Sequence, residues 1–269
     1  MGIFDFFKNN NPLNSSQPKL EKIGNVEAIC PYCNNSLKKK PSAKTKCRSC
    51  GNYVYVRTRP IDQEKVLVTE AQAEQIEEQW SIVNGTHEEY LASKQAFENE
   101  KATLATRFGK EPSKSDVKWS MLNKQLLEHA QNSDWGLYRN ARFEMAEILR
   151  KESRFEDALA TYLEICYLDL NGPRNLGGYS QASPFSPQTA FLAPGIVGRA
   201  EDIIERLNYD IEQVKQICQR VAEMSYSSLK LPVSPEKAWL KLKERIGVAA
   251  CFNLRRTQQV IRPDGQFQR

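Results

Sequence analysis

Two patterns of apolar and polar positions divide the chain. Between residues 26 and 68 the apolar residues come in short β-type runs. Tyr53-Val54-Tyr55-Val56 is aromatic and β-branched, Val66-Leu67-Val68 follows, and Pro60-Ile61-Asp62 supplies a turn between them. This predicts a hairpin. From Thr69 onward the spacing becomes helical and stays so nearly to the end. Thr69 with Gln72 and Thr86 with Glu89 fit a capping box, in which a hydroxyl accepts from one free backbone N–H and the Gln or Glu side chain accepts from the cap's own N–H. Ser113 with Asp116 is a looser version, and Ser234-Pro235 puts proline at a first helical position. Asn84-Gly85, Gly109, Asn132 and Asn171-Gly172 mark stops. Helices are expected over 69–83, 86–108, 114–131, 134–151, 155–170, 196–208, 210–226 and 235–251.

Four parts follow: a lead over 1–25 with an Asn-, Ser- and Pro-rich stretch at 9–18, a β segment over 26–68, a helical domain over 69–252 and a tail over 253–269. The helical part is interrupted at 172–195, where Pro173, Gly177, Gly178, Pro184, Pro187 and Pro194 make a long loop. Loops of that length are functional, linkers, or packed across a groove. Trp80, Trp119, Trp135 and Trp239 all fall on expected helices and read as core anchors. Leu137, Tyr138, Phe143, Met145 and Ile148 recur at helical packing distance. Cys166, Cys218 and Cys251 stand alone among apolar neighbours and read as buried structural thiols.

Composition narrows the class. With 40% hydrophobic and 26% charged residues in 269, the chain can bury a core. Mean hydropathy is −0.60, and no apolar run approaches the roughly 18 residues of a membrane span. The start, Met1-Gly2-Ile3-Phe4-Asp5-Phe6-Phe7-Lys8, lacks a signal peptide's basic region, and Phe6 stands where myristoylation wants Ser or Thr. Ile3, Phe4, Phe6 and Phe7 read as docking on the protein's own body or as flexible, rather than as a membrane contact. A soluble, cytoplasmic protein is expected. The net charge of +5 is unevenly placed: residues 19–59 hold ten basic side chains against Glu21 and Glu27, while 60–269 hold 27 against 30 acidic ones.

The seven cysteines sharpen the picture. Four form two C-x2-C pairs, Cys30-Pro31-Tyr32-Cys33 and, thirteen residues on, Cys47-Arg48-Ser49-Cys50-Gly51. A zinc ion wants four thiolates in a tetrahedron, and each pair turns tightly enough to offer two. Gly51 suits the positive φ of such a turn. The rival account is a dithiol redox pair. Residues 28–68 resemble a zinc ribbon, which implies one structural Zn²⁺ on Cys30, Cys33, Cys47 and Cys50. Such ribbons bind DNA, RNA, protein or nothing, so the resemblance assigns no partner.

Between the pairs lie Lys38, Lys39, Lys40, Lys44 and Lys46, and Arg57 and Arg59 continue the charge along the hairpin beside Tyr53 and Tyr55. Contact with nucleic-acid phosphates or an acidic protein surface is one reading, with the tyrosines as stacking faces. A solvated loop is the other. No set of base-reading side chains stands out, so nucleic-acid contact would be non-specific or shape-based. Arg255, Arg256, Arg262 and Arg269 make the tail a second, weaker basic element or simply a loose end.

Residues 142–173 resemble a tetratricopeptide (TPR) repeat. Arg142, Met145, Ala146 and Leu149 hold the first-helix positions weakly, Ala158 and Tyr162 fit the second helix better, and the closing proline is displaced to Pro173. One such pair implies an irregular array rather than a true solenoid. An enzyme has little support, because His87 and His129 lack partners at a telling spacing and Gly177-Gly178 lacks a phosphate loop's lysine. The expected fold is mostly α: an irregular, TPR-like helical array with a small N-terminal β zinc ribbon. The expected function is non-catalytic binding or adaptor work, with a protein partner for the helices and nucleic acid or an acidic partner for the ribbon. The alternatives are a purely structural ribbon on an interaction scaffold, or an enzyme with its site near loop 172–195. Oligomeric state is open.

Overall fold

The computed structural model describes residues 20–178 and 182–258, the last twelve as backbone only. Among them β1 (Thr45–Lys46), β2 (Tyr53–Thr58) and β3 (Lys65–Val68) precede α1 (Glu70–Val83), α2 (His87–Phe108), α3 (Lys114–Gln131), α4 (Trp135–Lys151) and α5 (Phe155–Asn171). A 3-10 turn at Pro187–Thr189 leads to α6 (Pro194–Leu207), α7 (Ile211–Leu229) and α8 (Pro235–Gln258). The fold is mostly α with a small antiparallel sheet near the N-terminus, as the periodicity predicts. No helix among the described residues is long and apolar enough to cross a membrane. The chain divides into two compact units, up to Glu98 and from Asn99. The expected lead up to residue 19, the tail from 259 and the side chain of Cys251 lie outside the described residues.

In the first unit the strands lie in the order β1-β2-β3, all antiparallel. The register pairs Tyr55 with Val68 and Val56 with Leu67, so successive side chains take opposite faces. One face puts Val54 and Leu67 against Cys30 and Cys47. The other packs Val66 and Val68 on Ala73 and Ile76 of α1, with Tyr55 and Trp80 alongside. The Trp80 indole N–H donates to the Thr58 carbonyl at 2.8 Å. Helix α1 follows the helical pattern in sequence, yet in space it covers this sheet, because Val66, Leu67 and Val68 are all fully buried and need cover on both faces. Its capping box forms as expected: Thr69 Oγ1 accepts from Gln72 N–H at 3.2 Å, and Gln72 Oε1 accepts from Thr69 N–H at 3.0 Å.

In the second unit α5 is the pillar. Leu159, Tyr162, Leu163, Ile165 and Cys166 are fully buried in one cluster with residues of α4, α6, α7 and α8. A helix that is apolar nearly all round has to be central. Ala158 and Tyr162 both lie in this cluster, as do Cys218 and Trp239. Trp135 is buried in a neighbouring cluster, while Trp80 and Trp119 are half-buried at the edges of theirs. The buried side chain of Asn171 ties α5 to the chain before α8: Nδ2 donates to the Tyr167 carbonyl and Oδ1 accepts from Val233 N–H, each at 2.8 Å. Arg139 grips Asp169 with two bonds of 2.7 and 2.8 Å.

Three helix ends differ from expectation. Helix α6 begins at Pro194, a residue suited to a first helical position. Helix α7 runs to Leu229, where Lys230 in the left-handed region stops it. Helix α8 continues to Gln258, so the first residues of the expected loose tail are helical. The described part of loop 172–195 is packed. Trp135 N–H donates to the Arg174 carbonyl at 2.9 Å, and Leu137 N–H to Asn175 Oδ1 at 3.0 Å. These bonds cap α4, for which Asp134 supplies no side-chain cap. Phe185 is buried, with its ring 5.4 Å from that of Trp135.

Gly172 closes α5 with φ +62°, and a Cβ there would meet the Ser186 carbonyl oxygen at 2.0 Å. Gly109 has nearly the same φ, +66°, with nothing within 4 Å. Gly109→Ala should therefore cost only the left-handed strain, about 1 kcal/mol. Gly172→Ala adds a backbone clash worth a further ~1–3 kcal/mol. Thermal unfolding of the two variants should show a several-fold larger drop in Tm for Gly172→Ala; equal drops would overturn this account of the loop.

Candidate metal centre

The two cysteine pairs fold alike, bond for bond. Cys30 N–H donates to the Asn35 carbonyl and Asn34 N–H to the Cys30 carbonyl, each at 2.9 Å. Cys47 N–H donates to the Asn52 carbonyl at 2.8 Å and Gly51 N–H to the Cys47 carbonyl at 2.9 Å. The fifth residue of each turn is left-handed, Asn34 at φ +59° and Gly51 at φ +75°. Glycine signals that conformation in sequence. Asn34, which also tolerates it, carries the weaker signal and was not expected there. Tyr32, inside the first pair, accepts a hydrogen bond from Glu70 N–H at 3.0 Å, which links this turn to α1.

These turns bring all four sulfurs within 4.8 Å of one another. Cys30 Sγ lies 3.8 Å from Cys50 Sγ, and Cys33 Sγ 3.9 Å from Cys47 Sγ. Cys30 and Cys47 are buried, Cys33 is half-buried and Cys50 is exposed. The backbone N–H groups of Cys50 and Ser49 favour the Cys47 thiolate and pull it down to about 6. Asn35 N–H favours the Cys33 thiolate too, but burial and the three neighbouring sulfurs push that thiol up to about 12. Four sulfurs this close repel one another's charge, and a cation among them removes the conflict. The group could hold one metal ion.

The seven expected basic residues separate into distinct environments. Lys38, Lys39, Lys40, Lys44 and Lys46 are exposed. Lys40 Nζ donates to the Lys65 carbonyl at 2.5 Å. Lys44 Nζ sits over two rings at once, 4.6 Å from the centroid of Tyr53 and 4.5 Å from that of Tyr55. Arg57 is half-buried and bonded to Glu77 of α1 at 3.1 and 3.3 Å. Arg59 is only 5% exposed. It holds Asp62 with two bonds of 3.1 and 2.8 Å and reaches the Ile23 carbonyl. Arg59 is thus a turn staple rather than a surface cation. Its partner three residues on was visible in the sequence and would have given this role away. Asp62 is partly desolvated, which favours its neutral form, but Glu64 N–H and Arg59 outweigh that and hold its carboxyl below the usual range.

The second unit has a groove of about 370 Å³ between α4, α5 and α7, with Tyr138, Arg142, Glu164, Val221 and Met224 on its walls. Arg142 and Glu164 are ion-paired across it. His87 is bonded to Ser81, at 3.1 Å from its Oγ. No protein-family model, curated protein or solved structure matches the chain.

The two arginines should respond differently to removal. Arg59→Ala removes a buried guanidinium with its two bonds to Asp62 and its bond to the Ile23 carbonyl, and should cost about 1–3 kcal/mol. Arg57→Ala breaks a pair that is 35% and 52% exposed, and should change stability by less than about 1 kcal/mol. Hydrogen exchange over residues 53–68 of the full-length variants checks this, with marked loss of protection expected only for Arg59→Ala.

Proposed function

We propose that Cys30, Cys33, Cys47 and Cys50 hold one structural Zn²⁺ in a zinc ribbon, and that this ribbon is a non-catalytic binding module gripping a polyanion, nucleic acid foremost. Donor chemistry and spacing support the metal. Thiolates at about 2.3 Å from a tetrahedral zinc lie roughly 3.8 Å apart, close to the 3.8 and 3.9 Å separations across the two pairs. Independent redox dithiols would give no reason for the two pairs to converge. Bound zinc supplies cross-linking and charge neutralisation, with no reaction of its own.

One observation carries the binding role. Lys38, Lys39, Lys44 and Lys46 are exposed, and none is ion-paired with an acidic group among the described residues. They occupy a loop whose two ends are cysteine turns, so their charges are displayed at a fixed place and not on a free tail. A loop kept basic only for solubility needs no such anchoring. The helical unit, with its buried Ala158 and Tyr162 at TPR-like positions and its groove between α4, α5 and α7, is assigned the holding of a protein segment. The proposed protein is then an adaptor acting in the cytoplasm.

Metal analysis of the purified chain should find one zinc per molecule, and Cys47→Ser should abolish its retention; zinc-free protein with a folded ribbon would overturn the metal reading. Titration with duplex DNA at several salt concentrations should give log K falling with log[salt], by about 0.9 per neutralised phosphate. Replacing the five lysines with Ser should flatten that slope. Binding unchanged by the replacement would leave the ribbon a structural element only.

A further inference from the structure

We infer that the exposed aromatic and basic face of β1–β2 takes single-stranded nucleic acid in preference to duplex, an inference that rests on the polyanion reading above and narrows it. Lys46 and Tyr53 are directly paired across β1 and β2, which puts their side chains on one sheet face. Tyr55, two residues along β2, shares that face. Tyr53 is 52% exposed, while Tyr55 is half-buried where it meets Val66, Val68 and Ile76. The two-residue strand β1 lies at the edge of the sheet, and among the described residues no further strand covers this end. Two tyrosine rings and two lysines therefore meet on one open surface, with Lys38 and Lys39 on the same loop.

The Lys44 ammonium, within 4.6 Å of both ring centroids, occupies the place a stacked base would take. An exposed cation–π contact contributes about 0.5–1 kcal/mol, whereas a nucleobase stacked on an aromatic ring contributes about 1–3 kcal/mol. A base wins that exchange. The displaced ammonium then remains beside the phosphate of the same nucleotide, so its charge is used rather than lost. A duplex has its bases stacked and paired within the helix, and extruding one costs a few kcal/mol. It meets the lysines but leaves Tyr53 empty. Stacking with backbone neutralisation is also tolerant of sequence, in keeping with the lack of base-reading side chains.

The test is fluorescence anisotropy with labelled oligo(dT), oligo(U) and a duplex of equal length, about a dozen nucleotides, on the full chain. Wild type should bind at least one single strand more tightly than the duplex; the stronger of the two identifies DNA or RNA, and equal strength leaves the shared stacking chemistry. Tyr53→Ala, with its folding checked by thermal unfolding, should weaken single-strand binding about 5- to 150-fold, taking tenfold per 1.4 kcal/mol, and leave duplex binding unchanged. Tyr53→Trp keeps the ring and should restore single-strand binding. Equal single-strand and duplex affinities, or single-strand binding insensitive to Tyr53→Ala, overturn this inference while the polyanion reading stands. Failure of every nucleic acid to bind overturns both.

Discussion

Bringing four cysteine sulfurs within 4.8 Å of one another sets two demands at once. The backbone must turn tightly at each pair, and the charge of the thiolates must be neutralised. The first demand explains why the two turns are copies, each with a left-handed fifth residue and the same two backbone bonds. The second shows at Cys33, where burial and the neighbouring sulfurs push the thiol up, while backbone N–H groups favour the Cys47 thiolate. The surrounding core is small. Two of the four buried residues on that side of the sheet, Cys30 and Cys47, are themselves members of the sulfur group. Under the proposed metal reading, a cross-link among the sulfurs would give this side of the sheet the order that so small an apolar cluster does not, and would fix the lysine loop with it.

The second unit is held by different means. Its core is large enough to stand on apolar packing, with α5 buried along most of its length. What specifies its details are backbone groups satisfied from a distance: Asn175 caps α4 from 38 residues away, and Asn171 receives Val233 N–H from 62 residues away. Unpaired, each of these backbone groups would cost about 1–3 kcal/mol where it is buried. Part of the long loop therefore closes helix ends, with Arg174 and Asn175 at the start of α4 and Gly172 at the end of α5.

Periodicity and local chemistry made most of this legible. Apolar spacing and start or stop residues placed the helices to within a few residues, with capping boxes formed at α1, α3 and α7. The cysteine spacing pointed to the sulfur cluster for a simple reason: a tight turn at each pair is a local event. Illegible were the things decided by partners far away in sequence. That α1 belongs to the sheet follows from the burial of Val66 and Val68 on Ala73 and Ile76, a fact about two faces rather than one segment. That Arg57 and Arg59 are occupied follows from Glu77 and Asp62. Counting charge cannot tell a staple from a surface cation, although for Arg59 the acid three residues away was a usable hint. The end of α7 lies past its expected stop, at the left-handed Lys230, with the Ser228 hydroxyl inside the helix donating to the Met224 carbonyl.

The basic side chains along the ribbon fall into those held by an acid and those that are not. At the hairpin turn Arg59 is buried against Asp62, two residues back along β2 Arg57 is shared with Glu77, and near the cysteine turns Lys44 lies over two tyrosine faces. Lys38, Lys39 and Lys46 have no acidic partner among the described residues. The cause is the placement of α1, which packs on Val66 and Val68 and brings Glu77 to Arg57 while leaving the Tyr53 end of β2 open. A solubility role would be served equally well by charges anywhere on the ribbon. Exposed lysines without an acidic partner among the described residues gather on the loop between the cysteine turns, Lys38, Lys39 and Lys46 among them, and under the proposed reading that concentrated positive field is what favours a polyanion.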